Sequence, residues 1–170
     1  TCINHSTTLQ VVATTSYDGY VNIYKETDLK LMRSVYIHDY EIDKVILVAS
    51  PLPSFVVYSM NKKLWKIFGI NSIQSIKDVD TNETLTCYKI IKDHTFSYFI
   101  VYGNDKGEVV IAKLPFLEVI KREIVFDDNE KVRWIEVSED LKTVYISGDN
   151  GKLAVLCDKE LTRVSGGSHG

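Results

Sequence analysis

Helical spacing of apolar residues is almost missing from this chain. Apolar and polar positions alternate with period two, or gather into short apolar runs closed by turn residues, which is the pattern of β-strands. Thr8 to Ser16, rich in Val and Thr, predicts a strand, and Tyr17-Asp18-Gly19-Tyr20 predicts the hairpin turn after it. Val21 and Ile23 alternate with Asn22 and Tyr24 on the next strand, and a third strand spans Leu29 to Ile37. Further strands are expected at 43–49, 55–60, 64–68, 73–77, 85–91, 98–102, 109–112, 118–126, 132–137, 143–147 and 153–157, with a last short one at 161–164.

The turns between these strands repeat. Gly107 and Gly151 are 44 residues apart, Gly19 and Gly107 are twice that, and Asn61-Lys62-Lys63 occupies the midway station without glycine. One period of 44 residues therefore covers four turns, matching a four-stranded propeller blade of about 40–45 residues. An immunoglobulin-like sandwich would space its strands similarly but carry no internal period. A blade that is apolar on both faces cannot bury itself alone, and stacking blades around an axis hides those faces. The strand before each turn is correspondingly apolar, as in Phe55-Val56-Val57-Tyr58 and Tyr98-Phe99-Ile100-Val101. The expected fold is all-β: a β-propeller segment of about four blades at 1–37, 42–78, 84–126 and 131–164. Residues 165–170 are read as a flexible tail or as residues added to the natural chain.

The segments ATTSYDGYVNIY (Ala13 to Tyr24), VYGNDKGEVVIAKLP (Val101 to Pro115) and YISGDNGKLAVL (Tyr145 to Leu156) resemble the strand–turn–strand part of WD repeats. The repeats are degenerate: there is no Trp-Asp dipeptide, the repeat's Gly-His pair is missing, and Tyr24, Phe68, Ala112 and Leu156 or close neighbours stand near the family's tryptophan. The usual His–Asp–Ser–Trp hydrogen-bond relay is not assembled. More narrowly, Leu29 to Asp39, Ala49 to Ser59 with Ser50-Pro51-Leu52-Pro53, Phe68 to Asn71 and Phe99 to Val119 resemble the C-terminal WD-repeat region of BEACH-domain proteins. That resemblance implies a large cytoplasmic scaffold of membrane trafficking, lysosome-related organelles or autophagy, peripheral to membranes and touching them only through the parent protein. Four blades are fewer than such rings usually use, and Thr1-Cys2-Ile3 is too short for a full opening strand. The chain is therefore expected to belong to a larger propeller.

Composition fits a globular protein, with 45% hydrophobic and 25% charged residues over 170 positions. A net charge of -3 gives no global footprint for nucleic acid, and no nucleic-acid partner is expected. No apolar run reaches the roughly 20 residues of a membrane helix. Cys2, Cys87 and Cys157 are odd in number and far apart, so they read as free buried thiols rather than a zinc or disulfide framework.

Catalytic chemistry finds no foothold. His5, His38, His94 and His169 lack metal-pair spacing, no Gly-x-Ser-x-Gly or phosphate-binding glycine motif occurs, and no metal or cofactor is expected. Asn104-Asp105-Lys106-Gly107 and Asp149-Asn150-Gly151 lack the alternating ligands and closing Glu of a calcium loop and read as turns. A propeller enzyme would gather carboxylates or histidines at its inner-strand ends, where this chain offers Asp43, Thr84 and Lys131. The acidic run Glu123 to Glu130 reads as a solvated loop, and Lys62, Lys63 and Lys66 as edge protection.

What remains is a rim of loops. Turns within blades and connections between blades share one face of a propeller. That face would collect Tyr17, Tyr20, Lys62, Lys63, Asp105, Lys106, Asn150 and Lys152 with His38, Tyr40, Asp127 and Asp128. Tyr and charged residues on rigid turns are what protein-binding surfaces use. The expectation is a non-catalytic scaffold binding other proteins, with Tyr17, Tyr20, His38 and Tyr40 as partner-binding residues. The alternatives are another propeller scaffold (a vesicle coat, nucleoporin or ribosome-biogenesis component) or a propeller enzyme.

Overall fold

The computed structural model of the chain describes residues 1–127 and 130–157. Every regular element in it is a β-strand, and all pairings are antiparallel between sequence neighbours. The chain divides into two compact units, residues 1–82 and 83–170.

The first unit holds two four-stranded sheets. One is β1 (Ile3–Ser6), β2 (Val11–Thr15), β3 (Tyr20–Lys25) and β4 (Leu31–Tyr36); the other is β5 (Lys44–Val48), β6 (Ser54–Ser59), β7 (Leu64–Gly69) and β8 (Lys77–Asp80). Val11, Ala13, Val21, Ile23 and Val35 of the first sheet pack with Val45, Leu47, Phe55, Val57 and Phe68 of the second. The Phe55 and Phe68 rings stack with centroids 4.9 Å apart. Because successive strand residues point to opposite faces, VVATT of β2 puts Val11 and Ala13 inward and Val12 and Thr14 outward. The unbroken run SFVVYS of β6 is buried at every position, as an apolar run without alternation should be.

The second unit repeats the plan. Its complete sheet is β9 (Leu85–Lys92), β10 (Tyr98–Asn104), β11 (Glu108–Lys113) and β12 (Glu118–Ile124), and β13 (Val132–Val137), β14 (Thr143–Gly148) and β15 (Leu153–Cys157) form a three-stranded sheet among the described residues. Phe99, Val101, Val109, Ile111, Val132, Ile135, Val144 and Ile146 make its core.

The 44-residue period has a backbone meaning. Gly19, Lys63, Gly107 and Gly151 stand at successive intervals of 44, and all four have left-handed φ, between 52° and 87°. Glycine is favoured there because it has no Cβ to clash. Lys63 adopts the same conformation at φ 52° in the turn without glycine. A second recurrence appears between third and fourth strands, where Leu29 and Leu117 both have φ 56°.

Several elements differ from the sequence reading. The first sheet does not lack its opening strand: Ile3 to Ser6 pairs with Thr14 to Val11. Polar Asn4 hides this strand in the sequence, but its side chain faces inward and accepts from the Leu47 N–H at 2.9 Å. The strand expected at 73–77 lies instead at Lys77–Asp80, opposite Ile67 to Leu64, because Ser72 N bonds back to Gly69 O and Ser72 Oγ to Gln74 O, forming a turn. The strand expected from Thr8 starts at Val11 because Gln10, with φ 58°, still belongs to the turn; the strand expected from Leu29 starts at Leu31 for the same reason. The segment 161–164, the tail 165–170, Asp128 and His169 lie outside the described residues.

The cysteines are free but not buried as expected: Cys157 is exposed and Cys2 and Cys87 are half-buried. The acidic run also departs at its end. Glu130 is buried against Gly148, its Oε1 accepting from Asn150 N at 2.7 Å and its Oε2 facing Lys152 Nζ at 3.4 Å. It anchors the β14–β15 turn instead of lying in solvent.

Candidate functional site

The Gly19 turn joins β2 to β3 in the first unit and carries two of the four expected binding residues, Tyr17 and Tyr20, while His38 and Tyr40 lie on the connection from β4 to β5. Gly19 itself is clamped: a Cβ there would lie 1.6 Å from the His38 carbonyl oxygen and 3.3 Å from that of Tyr40. Its carbonyl accepts from Ile37 N at 2.8 Å, while Ser16 O accepts from Ile42 N at 3.3 Å. These bonds tie the β2–β3 turn to the segment connecting β4 to β5. The missing Cβ is what lets the two backbones meet.

Aromatic rings crowd this corner. Tyr17 is 75% exposed at the turn tip, Tyr20 is 38% and Tyr40 37% exposed, and His38 is half-buried. Tyr20 packs against Tyr36 at 5.2 Å between centroids, and His38 against Tyr40 at 4.8 Å. Lys62 Nζ sits 4.4 Å over the Tyr40 ring, a cation–π contact contributed by the β6–β7 turn. So the fold brings Tyr20, His38, Tyr40 and Lys62 together around Gly19, and Tyr36 joins them without having been singled out in the sequence.

Three carboxylates of the corner are already engaged. Asp18 accepts from the Ser16 hydroxyl and Asp39 from the Tyr36 hydroxyl. Asp43 Oδ2 accepts from Met60 N at 2.7 Å. Lys66 pairs with Asp78 at 3.2 Å, so one lysine expected only to protect an edge bridges β7 and β8. Burial holds the His38 imidazole below the usual histidine range, and nearby Lys66 and Lys62 act in the same direction.

The corresponding place in the second unit is built differently. Glu83 is 6% exposed and its carboxylate accepts from Tyr102 Oη at 2.7 Å, Asn104 Nδ2 at 2.8 Å and Arg122 Nη1 at 2.7 Å. Asn104 Oδ1 in turn accepts from Lys106 N and Glu108 N, closing the Gly107 turn. Burial works to raise the Glu83 pKa, but the hydrogen bonds from Arg122 and Tyr102 outweigh it and hold the carboxyl below its usual range. Burial, then the hydrogen bond to Glu83 and its charge, push the Tyr102 phenol up, and the hydrogen bond to Glu83 raises the Arg122 guanidinium. This network was not legible in the sequence, because its members are spread from 83 to 122.

Thr84 and Lys131, weighed with Asp43 as a catalytic set, contribute backbone groups to turns. Thr84 N donates to Asp105 Oδ1 and Thr84 O accepts from Asp105 N, and Lys131 O accepts from Asp149 N at 3.1 Å. His5 pairs with Glu26 at 2.6 Å. Among the described residues no group of three or more His, Cys, Asp or Glu could hold a metal ion, and no helix is long and apolar enough to cross a membrane.

No protein-family model and no curated protein matches the chain. Solved structures do. The C-terminal WD40 domain of Sif2 aligns at TM-score 0.69 and 12% identity over 92% of this chain and 45% of that one. The chain has the fold of a WD40 β-propeller segment. A computationally designed protein, Ika4, aligns at TM-score 0.64 and 14% identity over 92% of this chain and 89% of its own. The β-propeller domain of Cps50 (Swd1) from Myceliophteria thermophila aligns at 0.55 and 10% identity over 87% of this chain and 62% of that one. The segment thus spans about half the length of the Sif2 domain and nearly all of Ika4. At these identities the likeness concerns the fold. Within it, the four positive-φ turns are the second-to-third-strand turns of the four sheets.

Proposed function

We propose that this propeller segment is a non-catalytic protein–protein interaction scaffold that docks its partner on the Gly19 corner. The observation that carries the reading is a cluster of accessible rings, Tyr17, Tyr20 and Tyr40 with His38, on a turn locked to the next connection through Gly19. Large rings on a fixed backbone bury much area while losing little conformational freedom, which is why Tyr is frequent at binding hot spots. Tyr17 makes no ring contact or side-chain hydrogen bond among the described residues, so stability does not account for it.

The finer reading is a BEACH-type role in vesicle trafficking, lysosome-related organelles or autophagy, at a cytoplasmic location peripheral to membranes. It rests on the resemblance of Leu29 to Asp39, Ala49 to Ser59 and Phe99 to Val119 to that family. The partners are other proteins, not nucleic acid, and any membrane association runs through the parent protein.

Affinity purification with the chain and with a Tyr17→Ala, Tyr20→Ala, Tyr40→Ala variant tests the docking reading. The variant is expected to keep its fold and lose partners that the parent chain retains. Retention of every partner would sink the assignment of the corner. A BEACH domain preceding this segment in its parent polypeptide would support the trafficking role, and a different neighbouring domain would remove it.

A further inference from the structure

His38 occupies an unusual position in the corner. Its ring Nδ1 is 3.1 Å from the Tyr40 N–H and accepts from it. That contact requires a ring with no proton on Nδ1, the neutral Nε2–H tautomer. The ring also lies against the Tyr40 ring at 4.8 Å, and the Tyr40 ring carries Lys62 Nζ at 4.4 Å on its face. The carbonyl of His38 is the atom wedged against Gly19. One imidazole thus touches the backbone of Tyr40, the ring of Tyr40 and, through its own carbonyl, the turn that bears Tyr17 and Tyr20.

We infer that His38 is a proton-operated latch on the docking corner, holding Tyr40 in place when neutral and releasing it when protonated. The inference rests on the reading of the corner as a docking surface and concerns how that surface is regulated. Adding a proton to Nδ1 turns an acceptor into a donor that faces the Tyr40 N–H, so the contact at 3.1 Å is lost. The new N–H needs an acceptor, and around it backbone groups of His38 and Tyr40 are the ones that favour the charged ring. With two N–H groups facing each other and no lone pair between them, the hold on the Tyr40 backbone is lost, and with it the fixed position of the Tyr40 ring.

Two lysines flank the ring, and the neighbouring carboxylates are Asp39, Glu41 and Asp43 of its own connection and Asp18 of the Gly19 turn. Lys62 and Lys66 approach from the β6–β7 turn and from β7 and oppose protonation. Asp39, on the same segment, is bonded to the Tyr36 hydroxyl, and Asp18, on the Gly19 turn, to the Ser16 hydroxyl. The neutral state is therefore the resting state near neutral pH, and the latch opens in mild acid, below the ordinary histidine value of about 6.5.

The test is a proton–nitrogen NMR titration of the whole chain from pH 8 to pH 5, following the His38 ring nitrogens and the Tyr40 amide. The expected result is an unprotonated Nδ1 at pH 8, and a Tyr40 amide that shifts with the same midpoint as the ring, below about 6.5. Lys62→Gln and Lys66→Gln variants should raise that midpoint, and in His38→Gln the Tyr40 shift should vanish. A proton on Nδ1 at pH 8, or a Tyr40 amide that ignores the His38 midpoint, overturns the latch. If only the neutral form docks, partner affinity falls about tenfold one pH unit below the midpoint. The titration needs no partner, so its failure leaves the docking reading intact. Conversely, a partner that ignores Tyr17 and Tyr20 leaves the latch intact.

Discussion

The Gly19 and Gly107 corners occupy the same station two repeats apart, yet they are stabilised in opposite ways. Both glycines have left-handed φ and both are pressed by carbonyls of the following connection: His38 O against Gly19, and Phe126 O and Glu130 O against Gly107. At Gly107 the side chains turn inward. Glu83, Tyr102, Asn104, Glu108 and Arg122 spend their polar groups on one another and on the turn. At Gly19 the side chains turn outward, and Tyr17, Tyr20 and Tyr40 leave ring surface open to solvent. A closed polar network rigidifies a turn and has little left for a partner, whereas exposed rings on an equally fixed turn have their contact area free. Holding falls to the Gly107 corner, and recognition is what we propose for the Gly19 corner.

Variants can break or sharpen that contrast. The largest effect is expected from Arg122→Ala, which removes the cationic donor from the buried Glu83 carboxylate. The cost is about 2–3 kcal/mol, less than for a fully buried pair because the Arg122 side chain is partly exposed. Denaturant unfolding checks it, and faster hydrogen exchange should be confined to residues 85–124. Next comes Gly19→Ala, where left-handed strain of about 1–2 kcal/mol adds to the displaced His38 carbonyl. Gly151→Ala is the control, since nothing lies within 4 Å of its would-be Cβ, and only the left-handed strain of about 1–2 kcal/mol should appear.

Acid should separate the corners as well. Glu83 has a folded-state pKa below its unfolded one, so its stabilisation is present above the unfolded value and is lost as pH falls through the folded value. His38, also lowered but a base, works at higher pH. The unfolded chain takes up its proton first, near about 6.5, so stability declines below that and levels off once the folded ring is charged. Thermal unfolding across pH should show the first decline disappear in His38→Gln and the second shrink in Glu83→Gln, since Asp93 and Asp140 are held low as well. The smallest effect is predicted for Tyr17→Ala, within about 0.5 kcal/mol in unfolding experiments, because the ring is almost fully solvated.

Much of the fold was readable because each repeat writes its turn into the chain. The interval of 44 located Gly19, Gly107 and Gly151 and placed a fourth turn at Asn61-Lys62-Lys63, where Lys63 has the same left-handed conformation. Apolar runs such as SFVVYS marked the strands buried throughout. Strands whose residues are polar were misjudged. Asn4 in β1 and Lys77, Asp78 and Asp80 in β8 carry no apolar pattern, and backbone pairing, helped by the Asn4–Leu47 and Lys66–Asp78 contacts, makes them strands. At the candidate site, the shared loop face of a propeller pointed to Tyr17, Tyr20, His38 and Tyr40 as residues of one rim, and the clamp at Gly19 is what joins their segments. Tyr36 and the Glu83 network escaped because cross-strand partners are set by register. A Glu just before a strand that faces an Asn at the end of the next is the one trace such a network leaves in sequence.

The division between a recognising and a holding corner is tested most directly by site-specific photo-crosslinking. A photoreactive phenylalanine analogue is placed at Tyr17 in one sample and at Asp105, on the Gly107 turn, in another, and partner adducts are quantified after irradiation. The account predicts adducts from position 17 and none above background from position 105. Adducts from position 105 alone, or none from position 17 while a partner is bound, would contradict it.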